Sequence, residues 1–377
     1  MTLKKVLVTG ANGLLGWHAA AHLHAENCAA NFKGDPSPYQ ISAIDRQKFA
    51  DDNELLRAIQ SADVVLHFAG VNRAEETALE TANVNIANRL LWACETVNAK
   101  PHIIYANSIH SKNDSVYGRS KRAAQVAFEQ RASKFTNVIL PHIFGEGARP
   151  YYNNVTATLI ENLINDKSSE IDENGQVNLL HAGRAVDQMI NLAKDGQEGE
   201  IELAGLKMSI SELFEKLDRF HSAYMENVFP SLESDFDISL FNAYRASTYP
   251  NSWPRKLKLN KDSRGCLFEA IKSKGGGGQS FASTTLSGVT RGDHFHINKI
   301  ERFLVLRGKA KVRMRRVLTK EVWEFDVSGE EPCIVDMPTL YTHSLENVGS
   351  EPLITLFWTN EIFDPKAPDT FADRVIS

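Results

Sequence analysis

Two hydrophobic rhythms divide the chain. Over residues 1 to about 200, short apolar runs alternate with stretches in which apolar positions recur every three or four residues. The runs Val6 to Val8, Ile41 to Ile44, Val64 to Phe68, His102 to Ala106 and Val138 to Leu140 read as strands, too continuously apolar for a sheet with one face in water. Trp17 to His24, Asp52 to Ala62, Asn83 to Val97 and Tyr117 to Arg131 read as helices between them. This alternation predicts a doubly wound parallel sheet of the α/β Rossmann type. Ser209-x-x-Glu212 ahead of Leu213, Phe214, Leu217 and Phe220 is a capping-box start to one more amphipathic helix. Residues 225–255, rich in Asn, Ser, Asp, Tyr and Pro and ending in Tyr249-Pro250-Asn-Ser-Trp-Pro254, predict a linker. From Lys256 the helical period disappears. Short β-rich runs at Ser280 to Leu286, Phe303 to Leu306, Lys311 to Arg315, Val322 to Val327 and Leu353 to Trp358, separated by Gly, Pro and Asn turns, predict an all-β jelly-roll barrel. We therefore expect one domain over 1–250 and a second over 251–377, with Gly275 to Gly278 as a hairpin connection.

A chain of 377 residues exceeds what one hydrophobic core usually supports, which agrees with that division. Net charge is −5, so no basic field exists to hold nucleic acid or an anionic membrane surface. A local pocket for a phosphorylated small molecule stays open. Cys28, Cys94, Cys266 and Cys333 are scattered, with no C-x-x-C, which excludes a disulfide framework and a zinc ribbon and favours a reducing compartment. The N-terminal apolar run is too short for a signal peptide and no stretch is long enough to span a bilayer. The expectation is a cytoplasmic protein.

Composition does not single out the chemistry, but spacing does. Gly10-Ala-Asn12-Gly13-Leu14-Leu15-Gly16 follows the first strand and opens the first helix. Glycines there allow a tight turn and close backbone approach, so a pyrophosphate can sit at the helix N-terminus. Asp45 and Arg46 end the second strand and pull in opposite directions: a carboxylate accepts from ribose hydroxyls, whereas an arginine pairs with the 2′-phosphate of NADP. The balance favours NADPH, with NADH left open by Asp45. Ala69 and Gly70, small residues closing the third strand, let the chain approach the adenine. Tyr117-Gly-Arg-Ser-Lys121 places two side chains on one helical face, where an ammonium favours the phenolate of its neighbour. Ser108, just past the fourth strand, is placed to hydrogen-bond a substrate oxygen.

These residues resemble the extended short-chain dehydrogenase/reductase family over about residues 1–250. The resemblance implies hydride transfer at a sugar carbon, with Ser108, Tyr117 and Lys121 as the catalytic set and Lys121 also among the cofactor contacts. Ser108 stands nine residues before Tyr117, closer than is usual in that family. Where the family carries R-x-x-N-x-x-G, this chain has Leu140, His142 and Gly145.

A second constellation lies downstream. In Gly288-Val-Thr-Arg-Gly-Asp-His294-Phe-His296-Ile-Asn-Lys-Ile-Glu301, the two histidines share one face of a strand and Glu301 opens the next. Pro338-x-x-x-x-His343-x-x-x-Asn347 supplies a third imidazole. His294, His296, Glu301 and His343 make a donor set for a divalent metal, zinc first, with manganese, iron or nickel also compatible. Both strings resemble the two cupin motifs, with Leu340 where the second usually has glycine. Asp262-x-Arg264-Gly265-x-x-Phe268-Glu269 and Arg291-Gly-x-His294 are similar to cupin-shaped 3,5-epimerases of nucleotide-linked 4-ketosugars. His294 is then base or ligand, and Asp293, Lys299 and Tyr341 are open as acid or base.

A reductase followed by such a cupin, with His67-Phe-Ala-Gly-Val-Asn-Arg73 and the tail Trp358-Thr-Asn-Glu-Ile-Phe-Asp-Pro365, resembles the CapF/WbjC family of bacterial capsule and O-antigen synthesis proteins. That resemblance implies a zinc-containing homodimer using NADPH. It also implies conversion of a UDP-linked 2-acetamido-2,6-dideoxy-4-ketohexose to UDP-2-acetamido-2,6-dideoxy-L-talose, on the route to UDP-N-acetyl-L-fucosamine. The competing expectation is a reductase whose cupin is a structural or dimerisation module.

Overall fold

The computed structural model describes residues 4–263, 265–275 and 277–376. Two compact units emerge: Met1–Asn154 with Asn174–Ser209, and Val155–Glu173 with Ile210–Ser377. In the first, six parallel strands run in the order Tyr39–Ile44, Lys4–Thr9, Val64–His67, His102–Ser108, Lys134–Leu140, Gly199–Glu202. The apolar runs are continuous because successive residues face opposite, equally covered sides. Val6, Val8, Leu66 and Ile104 bury against Ala19, Leu23 and the helix Ala182–Asp195 on one face, whereas Leu7, Val65, Ile103 and Tyr105 bury against Leu55, Leu90 and Phe128 on the other. The chain reverses direction across the sheet between Lys4–Thr9 and Val64–His67. That switch point is where open α/β sheets leave a crevice at their carboxyl ends.

The second unit holds two five-stranded sheets. One runs Arg255–Lys256, Cys333–Met337, Glu301–Arg307, Leu353–Thr359, Gln279–Thr285; the other runs Val322–Ser328, Lys309–Arg316, Tyr341–Asn347, Thr290–Phe295, Phe371–Ala372. Every neighbouring pair is antiparallel. Phe303, Val305, Val335 and Leu353 of the first interleave with Val312, Met314, Val327 and Leu345 of the second in one core. This is the expected jelly-roll arrangement.

One expectation needs correcting. The stretch 225–255 is not a plain linker, because Asp235–Ser247 forms a helix capped by the Ser234 hydroxyl, which accepts from the Asp237 amide. Polar composition hid it: Leu240, Phe241, Tyr244 and even Arg245 are buried. With Ile210–Met225 it packs an aromatic cluster of Tyr224, Phe229, Phe241, Tyr244 and Trp253. By compactness both helices, with Val155–Glu173, belong with the β-rich unit.

Candidate functional site

The dinucleotide crevice is built from strand ends. The Thr9 hydroxyl lies 2.8 Å from His67 Nδ1 and accepts from the Ala69 amide at 3.2 Å, which ties the ends of the first and third strands. Gly10 has φ +68°, and a Cβ there would sit 2.9 Å from the Ala69 nitrogen. A Cβ on Gly16 would lie 2.2 Å from the Gly10 carbonyl oxygen. Neither position admits a side chain. Behind Gly13, the helix Leu14–Phe32 begins with no side-chain cap and no acidic residue in its first turn. Its first amides and dipole therefore suit an anion. Leu15 packs on the core. The Asp45 carboxylate caps the short helix Arg46–Ala50, accepting from the Lys48 amide at 3.0 Å, and Asn12 donates to its second oxygen at 3.4 Å. Arg46 is exposed, and Gly70 lies against Asn83 Oδ1.

Ser108, Tyr117 and Lys121 come together at the end of the fourth strand. Burial raises the Tyr117 phenol above its ordinary pKa, and the neighbouring Ser108 only partly opposes the rise. Lys121 is buried, and desolvation lowers it to about 7. Its Nζ donates to the Ala106 carbonyl at 2.7 Å and lies 4.1 Å from the centre of the Tyr105 ring. Helical spacing placed lysine and tyrosine on one face, but the ammonium turns to the strand below. The phenol therefore has no ammonium to lower it toward neutrality. Two histidines join the group. The ring of His110 lies 6.0 Å from that of Tyr117. His142, noted above only as a departure from the family pattern, has a buried Nε2 with no hydrogen-bond partner among the described residues. His110 was legible as a neighbour of Ser108, two positions on; His142 comes from another strand.

In the β-rich unit His294, His296, Glu301 and His343 present ligand atoms all within 4.8 Å of one another. Thr290–Phe295 pairs with Tyr341–Asn347 so that His294 stands opposite His343, after a bulge at which Asp293 takes φ +54°. Ring centroids lie 4.6 Å apart for His294 and His343, and 5.0 Å for His294 and His296. His296 Nε2 meets Glu301 Oε2 at 2.8 Å. The remaining ring nitrogens are oriented from behind: His343 Nδ1 against the Tyr341 carbonyl at 3.2 Å, and His296 Nδ1 against the Asp369 carbonyl at 2.6 Å. With Nδ1 donating, Nε2 carries the lone pair a metal needs. His343 Nε2 is buried and has no partner among the described residues. Burial holds His294 down at about 4 and His343 well below its ordinary value. Burial alone would raise Glu301, yet the His296 bond and the surrounding imidazoles hold it at about 2. Neutral imidazoles and an ionised carboxylate fit a divalent cation.

Leu340 occupies the motif's glycine position at φ +61°, a left-handed conformation that costs a branched side chain energy. Its amide donates to the His296 carbonyl at 2.8 Å, which links the two motifs. The cluster opens into a cavity of about 390 Å³ also lined by Arg291, Lys299, Phe281, Phe357 and Glu361. Arg264 and Gly276 lie outside the described residues. Asp262 sits on an exposed hairpin, Asn260–Asp262 with Gly265–Leu267, away from that lining.

Residues 6–202 match the model of the NAD dependent epimerase/dehydratase family, and residues 260–371 match the polysaccharide biosynthesis C-terminal domain. A UDP-2-acetamido-2,6-beta-L-arabino-hexul-4-ose reductase from Pseudomonas aeruginosa is 31% identical, over 98% of this chain and 99% of its own. The chain belongs to the NAD dependent epimerase/dehydratase family, as a CapF-like member. Its fold follows the crystal structure of the capsular polysaccharide assembling protein CapF from Staphylococcus aureus, with TM-score 0.57 and 29% identity over 99% of this chain and all of the other. A UDP-N-acetylglucosamine 4-epimerase from Methanobrevibacter ruminantium M1, 18% identical over 66% of this chain and 99% of its own, shares the fold alone at TM-score 0.53. As a CapF-like protein the chain is an enzyme of the oxidoreductase/epimerase class. Among the described residues no helix is long and apolar enough to cross a membrane.

Proposed function

We propose that the chain is a bifunctional nucleotide-sugar enzyme of polysaccharide synthesis. The cupin half inverts C3 of a UDP-2-acetamido-2,6-dideoxy-4-ketohexose, and the Rossmann half reduces the C4 ketone with NADPH to UDP-2-acetamido-2,6-dideoxy-L-talose, toward UDP-N-acetyl-L-fucosamine. The observation that carries the reading is the coexistence of two chemistries in one chain. A serine, a neutral tyrosine and a buried lysine stand beside a dinucleotide cradle, and a three-histidine, one-carboxylate cluster opens into its own cavity. The near full-length relative named for reduction of a UDP-linked hexul-4-ose supports the substrate class.

Order follows from acidity: the ketone makes the neighbouring C–H removable, so inversion precedes reduction. The dinucleotide, with its pyrophosphate held at Gly10 to Gly16, would supply the hydride. Ser108 holds the ketone oxygen, Tyr117 donates its proton to that oxygen, and Lys121, near neutrality, restores the proton. A divalent ion held by His294, His296, Glu301 and His343 supplies Lewis acidity toward a carbonyl. We assign zinc, cytoplasmic action and a homodimer to the same reading.

NMR of the reaction in deuterated water, first without and then with NADPH, tests it. Deuterium at C3 without NADPH, followed by a reduced product with NADPH, is expected. Reduction with no exchange would leave a reductase with a structural cupin.

A further inference from the structure

We propose that Glu361 is the base that takes the C3 proton in the cupin cavity and that Lys299 positions it, an inference resting on the epimerase half of the reading above. Of the three groups the motif left open, two point elsewhere. The Asp293 carboxylate accepts from the Val375 amide at 3.1 Å, and the Tyr341 ring stacks on Trp323 at 5.4 Å; neither lines the cavity. Lys299 does line it, and a residue with no place in the cupin motifs, Glu361, lines it too.

The carboxylates in that lining are Glu301 and Glu361. Glu301 is bonded to His296 and belongs to the metal donors. Glu361 Oε1 instead lies 3.8 Å from Lys299 Nζ. Lys299 is 5% exposed, and its ammonium is anchored by the Pro368 carbonyl and the Thr370 hydroxyl. The tail bearing Glu361 is pinned at several points. Asp369 accepts from the amides of Ile297, Asn298 and Lys299 at 3.0, 2.8 and 2.7 Å, Asn360 Oδ1 accepts from Ile300, and the Phe363 amide donates to Gln279. A carboxylate so held, facing a cavity yet 42% exposed, can meet a substrate carbon and still exchange its proton with water.

The step balances without a redox partner. Glu361 takes the proton from the carbon beside the ketone, the C–H pair becomes the enolate double bond, and the carbonyl pair moves to oxygen. Water on the opposite face returns a proton to carbon as the ketone re-forms. Glu361 then releases its proton, which neutralises the hydroxide left behind.

The test uses the full-length protein, with the UDP-linked 4-ketohexose in deuterated water and no NADPH. Glu361→Gln is expected to slow C3 exchange at least 100-fold at unchanged metal content and NADPH binding, with partial recovery in Glu361→Asp. Lys299→Met, in the positioning role, is expected to lower the exchange rate at saturation and leave the KM within about threefold. Exchange by Glu361→Gln within threefold of wild type, or exchange lost together with the metal, overturns the role given to Glu361. Absence of exchange in the wild type overturns the epimerase reading itself, and the two failures are told apart by which protein fails.

Discussion

In the proposed reaction, Tyr117 is the residue on which the reductase chemistry turns. Burial raises its phenol further above neutrality, with Ser108 partly opposing, which suits the donor role given to it. Tyr117→Phe is expected to lower NADPH oxidation with the 4-ketosugar by about 100-fold or more, the usual worth of a positioned acid. NADPH binding, followed by fluorescence quenching, should not change; an unchanged oxidation rate would remove Tyr117 from the mechanism. The residue pattern revealed tyrosine, lysine and serine but not the direction of Lys121, whose Nζ goes to the Ala106 carbonyl rather than toward the phenol. A helical face is a property of spacing; where a long side chain points is decided by the strand packed beneath it.

At the scale of elements, the helices Ile210–Met225 and Asp235–Ser247 meet the barrel through a buried polar knot. Arg302 and Asp336 are both wholly buried and pair through two contacts, Tyr224 donates to the Asp336 carboxylate, and Arg245 donates to the Met337 carbonyl. Burial would raise Asp336, yet Arg302 keeps it below its ordinary value. Asp336→Asn strands a buried guanidinium and is expected to cost about 3–5 kcal/mol in urea unfolding. Replacing both partners, Arg302→Met with Asp336→Leu, should cost less than either single change, which a double-mutant cycle would measure. Nothing in local periodicity reveals this knot. Arg302 lies in an apolar strand and Asp336 in another, and the helix that covers them begins in a stretch whose composition reads as a linker.

For the whole molecule, the cupin cluster and Tyr117 lie in different compact units, so the two proposed activities should fail separately. His343→Ala is expected to lower bound metal, read by elemental analysis, and to abolish C3 exchange while NADPH binding stays within twofold. Stability should also carry a pH signature from the first unit. Burial holds His18 and His67 at about 3 and His102 at about 4. Unfolded histidines titrate near 6.5, so below that pH the unfolded chain binds more protons than the folded one. Stability is therefore full above about pH 7 and falls as pH drops through 6.5 toward 4. The urea midpoint should be lower at pH 5 than at pH 7.5, and His67→Gln should narrow the difference.

Pattern alone revealed the two-part architecture, the glycine turn, the tyrosine–lysine pair and the His294, His296 and Glu301 run. Each of these depends on short-range spacing: period two or 3.6, a turn that excludes Cβ, or histidines two apart on a strand. Tertiary structure decided which groups share a cavity. It brought His343 opposite His294, turned Asp293 and Tyr341 away, folded the tail so that Glu361 faces Lys299, and placed His142 near His110. Those relations join residues tens of positions apart, and only the packing of strands and loops within each unit sets the distances between them.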